Sequence, residues 1–69
     1  MGFAENLKRL RKNNQMGQRE FAAIMNVSVK TVSHWETSYC EPSIEQLHRI
    51  ADYFDVTLDE LTEHNTKLI

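Results

Sequence analysis

The sequence lacks most of the features that stabilise or localise a chain by special means. Its only cysteine is Cys40, so no disulfide can form within the chain, and a reducing cytoplasm is the expected compartment. No apolar run approaches the roughly 18 residues of a membrane span, and the opening segment MGFAENLKRLRK lacks the apolar stretch of a signal peptide. One proline, two glycines and no β-rich run predict a single all-α domain within 69 residues.

The charge is unevenly distributed along the chain, although the net charge is only −2. Residues 1–30 carry six cations and two carboxylates, a net charge of +4, whereas residues 31–69 carry two cations and eight carboxylates, a net charge of −6. A chain polarised in this way can place its basic half against a polyanion. Ordinary solvated surface charge explains the pattern equally well, so charge alone does not identify a nucleic-acid binder.

Apolar periodicity and turn residues predict the first three helices. The first covers about residues 3–13 and ends at the turn-forming segment NNQMG. The second begins near Gln18 and ends at Asn26, because asparagine tolerates the left-handed conformation of a tight stop. Ser28 is a good N-cap for a third helix that ends around Thr37.

Two capping-box patterns predict the remaining helices. The segment SIEQ, which starts at Ser43, opens a fourth helix over about residues 43–54, and TLDE, which starts at Thr57, opens a short fifth helix. We expect the core to span about residues 3–61 and residues 62–69 to form a frayed tail.

Helical wheels assign most apolar residues to a single core. Ile24 and Tyr53 lie at the edges of their stripes, and either could extend the core or lie in a subunit contact, with the core interpretation preferred. The residues predicted to be buried on the main stripes are Phe3, Leu7, Leu10, Phe21, Ala22, Met25, Val27, Val32, Trp35, Ile44, Leu47, Ile50, Ala51 and Phe54.

The third helix has one anchored face and one varied face. Val32 and Trp35 lie on the side expected to pack against the second helix. A helix of about nine residues is not stable alone, so this packing must hold it in place. The opposite arc mixes a cation, hydroxyl groups, an imidazole and methyl groups, from Val29, Lys30, Ser33, His34 and Thr37.

The varied face suits the major groove of duplex DNA, which displays hydrogen-bond donors, acceptors and thymine methyl groups. Lys30 can donate to guanine O6 or N7, and His34 can donate or accept according to its tautomer. Ser33 can do either, and Val29 can contact a thymine methyl group. A helix that follows a preceding helix after a short turn is the geometry that enters this groove.

The segment MGQREFAAIMNVSVKTVSHWE resembles the helix-turn-helix of the XRE family, the DNA-binding domains related to phage repressor and Cro proteins. The segment PSIEQLHRIADYFDVTLDEL resembles the last two helices of that family. The resemblance covers about residues 3–61, and it implies a five-helix, lambda-repressor-like domain that binds double-stranded DNA. The chain departs from the family pattern at Gly17, Asn26, Thr37-Ser38 and Tyr39-Cys40.

The resemblance also implies roles for individual residues. Gln18 would contact a phosphate beside the N-terminal amides of the second helix. Ser28 and Thr31 would set the register on the backbone, and Thr37 with the following loop would contact phosphate again. The residues facing the bases would be Val29, Lys30, Ser33 and His34.

The same resemblance implies a homodimer on a palindromic operator and favours a transcriptional repressor. Relatives often dimerise around the fifth helix, so Leu58, Leu61 and the terminal Leu68-Ile69 are the predicted dimer contacts. Two alternatives remain open at this point. One is an antitoxin with a toxin protein as its partner and autoregulatory DNA binding, and the other is a protein-interaction module that does not bind DNA.

The sequence does not predict an enzyme, a metal site or a cofactor. The spacing of His34, Cys40, His48 and His64 matches no short zinc pattern. Nothing suggests an oriented base for Cys40, and Ser33 and His34 are sequence neighbours on one face rather than a nucleophile and base across a pocket. There is also no glycine-rich phosphate loop.

Overall fold

The computed structural model describes residues 2–63, which form five helices and no strand. The helices agree with the predicted boundaries to within one residue, so the predicted all-α fold is confirmed. Thr62 lies in the last turn of the fifth helix rather than in a tail, and residues 64–69 lie outside the described part of the chain. The helices are α1 (Phe3–Asn13), α2 (Gln18–Met25), α3 (Val29–Glu36), α4 (Ile44–Phe54) and α5 (Leu58–Thr62).

The helix ends follow from local sequence. Asn26 ends α2 with φ 60° and ψ 44°, and Asp55 ends α4 in the same left-handed conformation. Ser28 caps α3, because its hydroxyl oxygen accepts from the backbone N–H of Thr31 at 3.1 Å. Both predicted capping boxes are present, at Ser43 on α4 and at Thr57 on α5. None of the helices described here is long and apolar enough to cross a membrane.

The core lies where α1, α2 and α3 meet α4 and α5. Trp35 and Phe21 are its largest fully buried side chains, and the Phe21 ring stacks on Phe54 with centroids 5.7 Å apart. Burying a side chain of this kind contributes about 1.5–3 kcal/mol. Most of the predicted core is confirmed as buried or partly buried, and Met16, from the α1–α2 loop, is an additional member.

Three predicted core positions are wrong. Ile44 is 67% exposed, because it is the first residue of α4 and lies off the centre of that helix's buried stripe. Ile24 and Tyr53 are also exposed, and they border a shallow groove between α2 and α4 together with Arg49 and Asp52. Their positions at the stripe edges leave them beside the contact of the two helices rather than inside it.

The predicted dimer contacts also change. Leu61 is fully buried in the core, so it is not available on the surface, and Leu58 is partly buried against that core. The short α5 must use its apolar side chains to pack on α1 and α4. Leu68 and Ile69 lie outside the described residues.

A buried asparagine holds α5 against α1. The Nδ2 atom of Asn6 donates to the backbone oxygens of Leu61 at 2.9 Å and Glu63 at 2.7 Å, with a longer contact to Glu60 at 3.3 Å. Its Oδ1 accepts from Arg9 Nη2 at 2.9 Å. The asparagine therefore satisfies carbonyl groups that the end of a helix leaves without partners.

Candidate nucleic-acid interface

The inward face of α3 fixes the helix to the rest of the fold. Val32 is fully buried and Trp35 is 2% exposed, so both are core residues as predicted. Glu36 is buried beside them at the last position of the helix. Because α3 packs on both α1 and α2, its eight residues are held in a fixed orientation.

A buried ion pair joins α3 to α1. Arg11 Nε lies 2.7 Å from Glu36 Oε2, and Arg11 Nη2 lies 3.0 Å from Glu36 Oε1, which is the bidentate geometry of a strong pair. Arg11 Nη1 also donates to the backbone oxygen of Met16 at 2.8 Å. The hydrogen bond to Glu36 raises the pKa of Arg11, against the opposing effect of burial. The guanidinium therefore stays charged throughout the ordinary pH range.

Gln18 belongs to the same network. Its Nε2 donates to Glu36 Oε1 at 3.0 Å, so the start of α2 is tied to the end of α3. Gly17 provides no side-chain cap for α2, and its backbone is extended with φ −79° and ψ 168°. The first amides of α2 therefore have no capping side chain, as is typical of helix ends that bind anions. Gln18 lies half-buried beside these amides.

The outward face of α3 carries the side chains predicted to face bases. Val29 and Lys30 are exposed, and Ser33 and His34 are half-buried. These four side chains lie on the surface opposite Val32 and Trp35 and combine apolar, cationic, hydroxyl and imidazole groups.

The hydroxyl groups at the two ends of α3 are partly engaged by the helix itself. Ser28 Oγ lies 2.9 Å from Thr31 Oγ1, in addition to capping the Thr31 amide. Thr37 Oγ1 donates to the backbone oxygen of Ser33 at 3.1 Å. The acceptor capacity of these hydroxyl oxygens is not exhausted by these contacts.

The buried Arg11–Glu36 ion pair lowers the unpaired net charge of each half of the chain. Arg11 is one of the six cations of residues 1–30, but Glu36 neutralises it inside the fold. The outward charge of that half is therefore +3 rather than +4, and that of residues 31–69 is −5 rather than −6. The exposed cations of the basic half are Lys8, Arg9, Lys12, Arg19 and Lys30.

Sequence reasoning missed the roles of Asn6, Arg11 and Glu36. Their positions carried a signal, because each lies on the buried stripe of its own helix. Asn6 and Arg11 lie beside Leu7 on α1, and Glu36 lies one turn after Val32 on α3. A polar residue on an apolar stripe indicates a paired, buried group.

No group of three histidine, cysteine, aspartate or glutamate side chains that could hold a metal ion occurs within residues 2–63. Cys40 is exposed, and His64 lies outside the described range.

Two helices are joined by a three-residue turn, and the second packs on the fold with its inward face and leaves its outward face accessible. This arrangement defines a helix-turn-helix domain. The family model described as helix-turn-helix matches residues 7–61. The chain therefore belongs to the helix-turn-helix family, and the XRE-type resemblance is confirmed. This is a family of DNA-binding regulator domains rather than of enzymes.

Two curated relatives are similar over most of this chain. It is 38% identical over 61 residues to the HTH-type transcriptional activator BcrR of Enterococcus faecalis, a match that covers 88% of this chain and 30% of BcrR. It is 35% identical over 57 residues to the HTH-type transcriptional regulator AnsR of Bacillus subtilis (strain 168), covering 83% of this chain and 49% of AnsR. The chain thus spans less than half the length of either relative.

Two solved structures share the fold. A transcriptional regulator from Listeria innocua superposes with a TM-score of 0.85 at 36% identity, covering 97% of this chain and 63% of that one. The solution structure of the SOS-response transcriptional repressor LexA from Eubacterium rectale gives a TM-score of 0.88 at 28% identity, covering 97% of this chain and 71% of that one.

Proposed function

We propose that this chain binds double-stranded DNA in a sequence-specific manner and regulates transcription as a dimer that represses by covering its operator. The observation that carries the proposal is the outward face of α3, where four chemically different side chains lie opposite a fully packed inner face. Occlusion requires only occupancy of the site, so it needs no surface beyond the DNA-binding one and the subunit contact.

Base recognition is assigned to the middle of α3. Lys30 is exposed and cationic, so it can donate to guanine in the major groove, and Val29 can contact a thymine methyl group. Ser33 and His34 supply one hydroxyl and one imidazole on the same face. These four residues are the proposed determinants of sequence preference.

Backbone contacts are assigned to both ends of the helix-turn-helix. The start of α2 presents uncapped amides beside Gln18, and this combination suits a phosphate oxygen. Because Glu36 already accepts one hydrogen bond from Gln18, that amide is oriented before DNA arrives. Ser28, Thr31 and Thr37 are proposed to donate their hydroxyl hydrogens to neighbouring phosphate oxygens and to set the register, with Thr37 giving up its bond to Ser33.

The dimer is proposed from the use of this fold on two-fold symmetric sites, where two recognition helices enter successive major grooves about 34 Å apart. The relevant measurement is the sedimentation of the chain with and without duplex. A two-to-one complex on a palindromic duplex is expected, and a stable one-to-one complex would contradict the dimer.

The decisive experiment is selection of bound sequences from a random duplex pool. We expect a palindromic consensus, and a binding constant that falls with salt with a logarithmic slope of about −0.9 per phosphate neutralised. Absence of any enriched sequence together with a flat salt titration would contradict DNA binding and favour the protein-interaction alternative.

The direction of regulation needs a separate test, because BcrR is named an activator and LexA a repressor. A reporter gene behind the selected operator should lose expression when the chain is supplied, as occlusion requires. Increased expression would replace repression by activation without affecting the DNA-binding proposal.

A toxin gene beside the coding sequence would identify the antitoxin alternative if this chain neutralises the protein that the gene encodes.

A further inference from the structure

The loop after α3 reverses at the C-terminal end of that helix and brings Tyr39 against His34. The backbone N–H of Tyr39 donates to the carbonyl oxygen of His34 at 2.9 Å, and that of Cys40 makes a longer contact to the same oxygen at 3.3 Å. The Tyr39 ring lies against the His34 imidazole, with centroids 4.6 Å apart and planes tilted by 52°. Tyr39 nevertheless remains 76% exposed. An aromatic side chain from outside the helix therefore supports a side chain on its varied face.

This arrangement depends on an unfavourable backbone conformation. Ser38 has φ 66°, in the left-handed region that is sterically unfavourable for a residue with a Cβ atom. The reversal at Ser38 is what returns Tyr39 to His34 rather than directing it away from the helix. The N–H of Ser38 also contacts the carbonyl oxygen of Trp35 at 3.4 Å, so the turn is a helix C-cap of the Schellman type, and this cap brings Tyr39 against His34.

We infer that Tyr39 is a positioning residue for His34 and through it determines sequence preference at the base pair that His34 contacts. An imidazole on an exposed helix face has several rotamers, and a ring on one side removes some of them. A donor or acceptor that is held in place before binding discriminates between bases at a lower entropic cost than one that must be ordered on the DNA. This inference rests on the proposed function, because it needs His34 to face a base.

The test compares sequence preferences of variants by selection from the same random duplex pool. His34→Ala should relax the preference at one base-pair position, and Tyr39→Ala should relax it at that same position by about fivefold or more. Tyr39→Phe should retain the preference, because the ring is the acting group. In the His34→Ala background, Tyr39→Ala should add little. Tyr53→Ala is the matched control, since it removes an exposed tyrosine on α4.

A second readout does not involve DNA. The NMR chemical shifts of the His34 ring protons in the unbound chain should change on Tyr39→Ala and stay close to wild type in the Tyr53→Ala control. Unchanged His34 shifts would overturn the inference.

Three results of the selection would also overturn the inference. The first is uniform weakening on every sequence by Tyr39→Ala, which would make Tyr39 a phosphate contact. The second is an equal loss for Tyr39→Phe, and the third is an undiminished effect of Tyr39→Ala in the His34→Ala background. If the wild-type chain enriches no consensus while the His34 shifts respond as expected, the proposed function fails although the ring contact stands.

Discussion

The polar side chains inside this domain differ from those on the outward face of α3 in how fully the fold itself satisfies them. Inside, Arg11, Glu36 and Asn6 contact named partners outside their own helices at 2.7–3.0 Å in their closest hydrogen bonds. Outside, Lys30 and His34 extend from a helix that its buried residues, rather than these two, hold in position. Buried polar groups without partners are costly, so the interior set must be complete, whereas the exterior set is free to vary with the ligand.

This difference predicts separate effects of substitution. Changes to the interior set should lower stability without altering which sequences are bound. Changes to the exterior set should alter which sequences are bound with little effect on stability.

Breaking the buried ion pair should have the largest effect. Glu36→Ala leaves the Arg11 guanidinium buried without its carboxylate, which typically costs about 3–5 kcal/mol of unfolding free energy. Urea unfolding followed by circular dichroism measures the loss. Lys12→Ala, an exposed cation on the same helix as Arg11, is the matched control and should change stability by less than about 0.5 kcal/mol.

Glu36→Ala can fail to fold, because a small domain has little stability to lose. The double variant Arg11→Met, Glu36→Leu removes both charges and should recover most of the stability. A Glu36→Ala variant as stable as wild type would contradict the role given to the pair.

The pH dependence of the unfolding free energy supplies a further check. Because the folded pKa of Arg11 is raised, its stabilising effect is complete below the unfolded pKa and is lost only at still higher pH.

Removing the asparagine clamp should be the next largest effect. Asn6→Ala leaves the carbonyl groups of Leu61 and Glu63 without their donor, at a cost of about 1–3 kcal/mol. Hydrogen exchange should show α5 opening more readily than α3, because the clamp acts on the last helix. Equal loss of protection in both helices would mean that Asn6 stabilises the domain as a whole rather than α5.

Lys30 tests the outward face. Lys30→Ala should weaken binding to the selected operator by about 1–3 kcal/mol and relax one base-pair position, while stability changes by less than about 0.5 kcal/mol. Fluorescence anisotropy measures the affinity of the variant for the operator duplex and for a scrambled duplex. Arg49→Ala removes an exposed cation from α4 and is the control. Equal weakening on both duplexes would make Lys30 a phosphate contact.

The fold was largely predictable because its signals are local. Capping at Ser28 and at the two capping boxes, and the left-handed stop at Asn26, depend on residues within one turn of each other. The edge residues Ile24 and Tyr53 were wrongly assigned, because their exposure depends on how α2 and α4 meet. The same limitation hid the Arg11–Glu36 pair, whose members are 25 positions apart.

The candidate site was predictable in outline only. The wheel of α3 correctly separated Val32 and Trp35 from the varied face. It could not show that Tyr39 returns to His34, because that contact depends on the conformation of Ser38. The base and phosphate contacts assigned to this surface remain predictions, since they depend on a duplex.

Ser38 adopts a left-handed conformation in the turn that ends α3, and relieving its strain is the smallest predicted effect. Glycine adopts the left-handed conformation without the steric cost of a Cβ atom, so Ser38→Gly should recover about 1–2 kcal/mol of strain. Greater freedom of glycine in the unfolded chain removes about 0.5–1 kcal/mol, which leaves a net gain of up to about 1.5 kcal/mol. Asn26→Gly is the matched control at φ 60°. Because asparagine tolerates this conformation, its gain should be smaller. Unchanged or lower stability of Ser38→Gly would show that Ser38 is not strained.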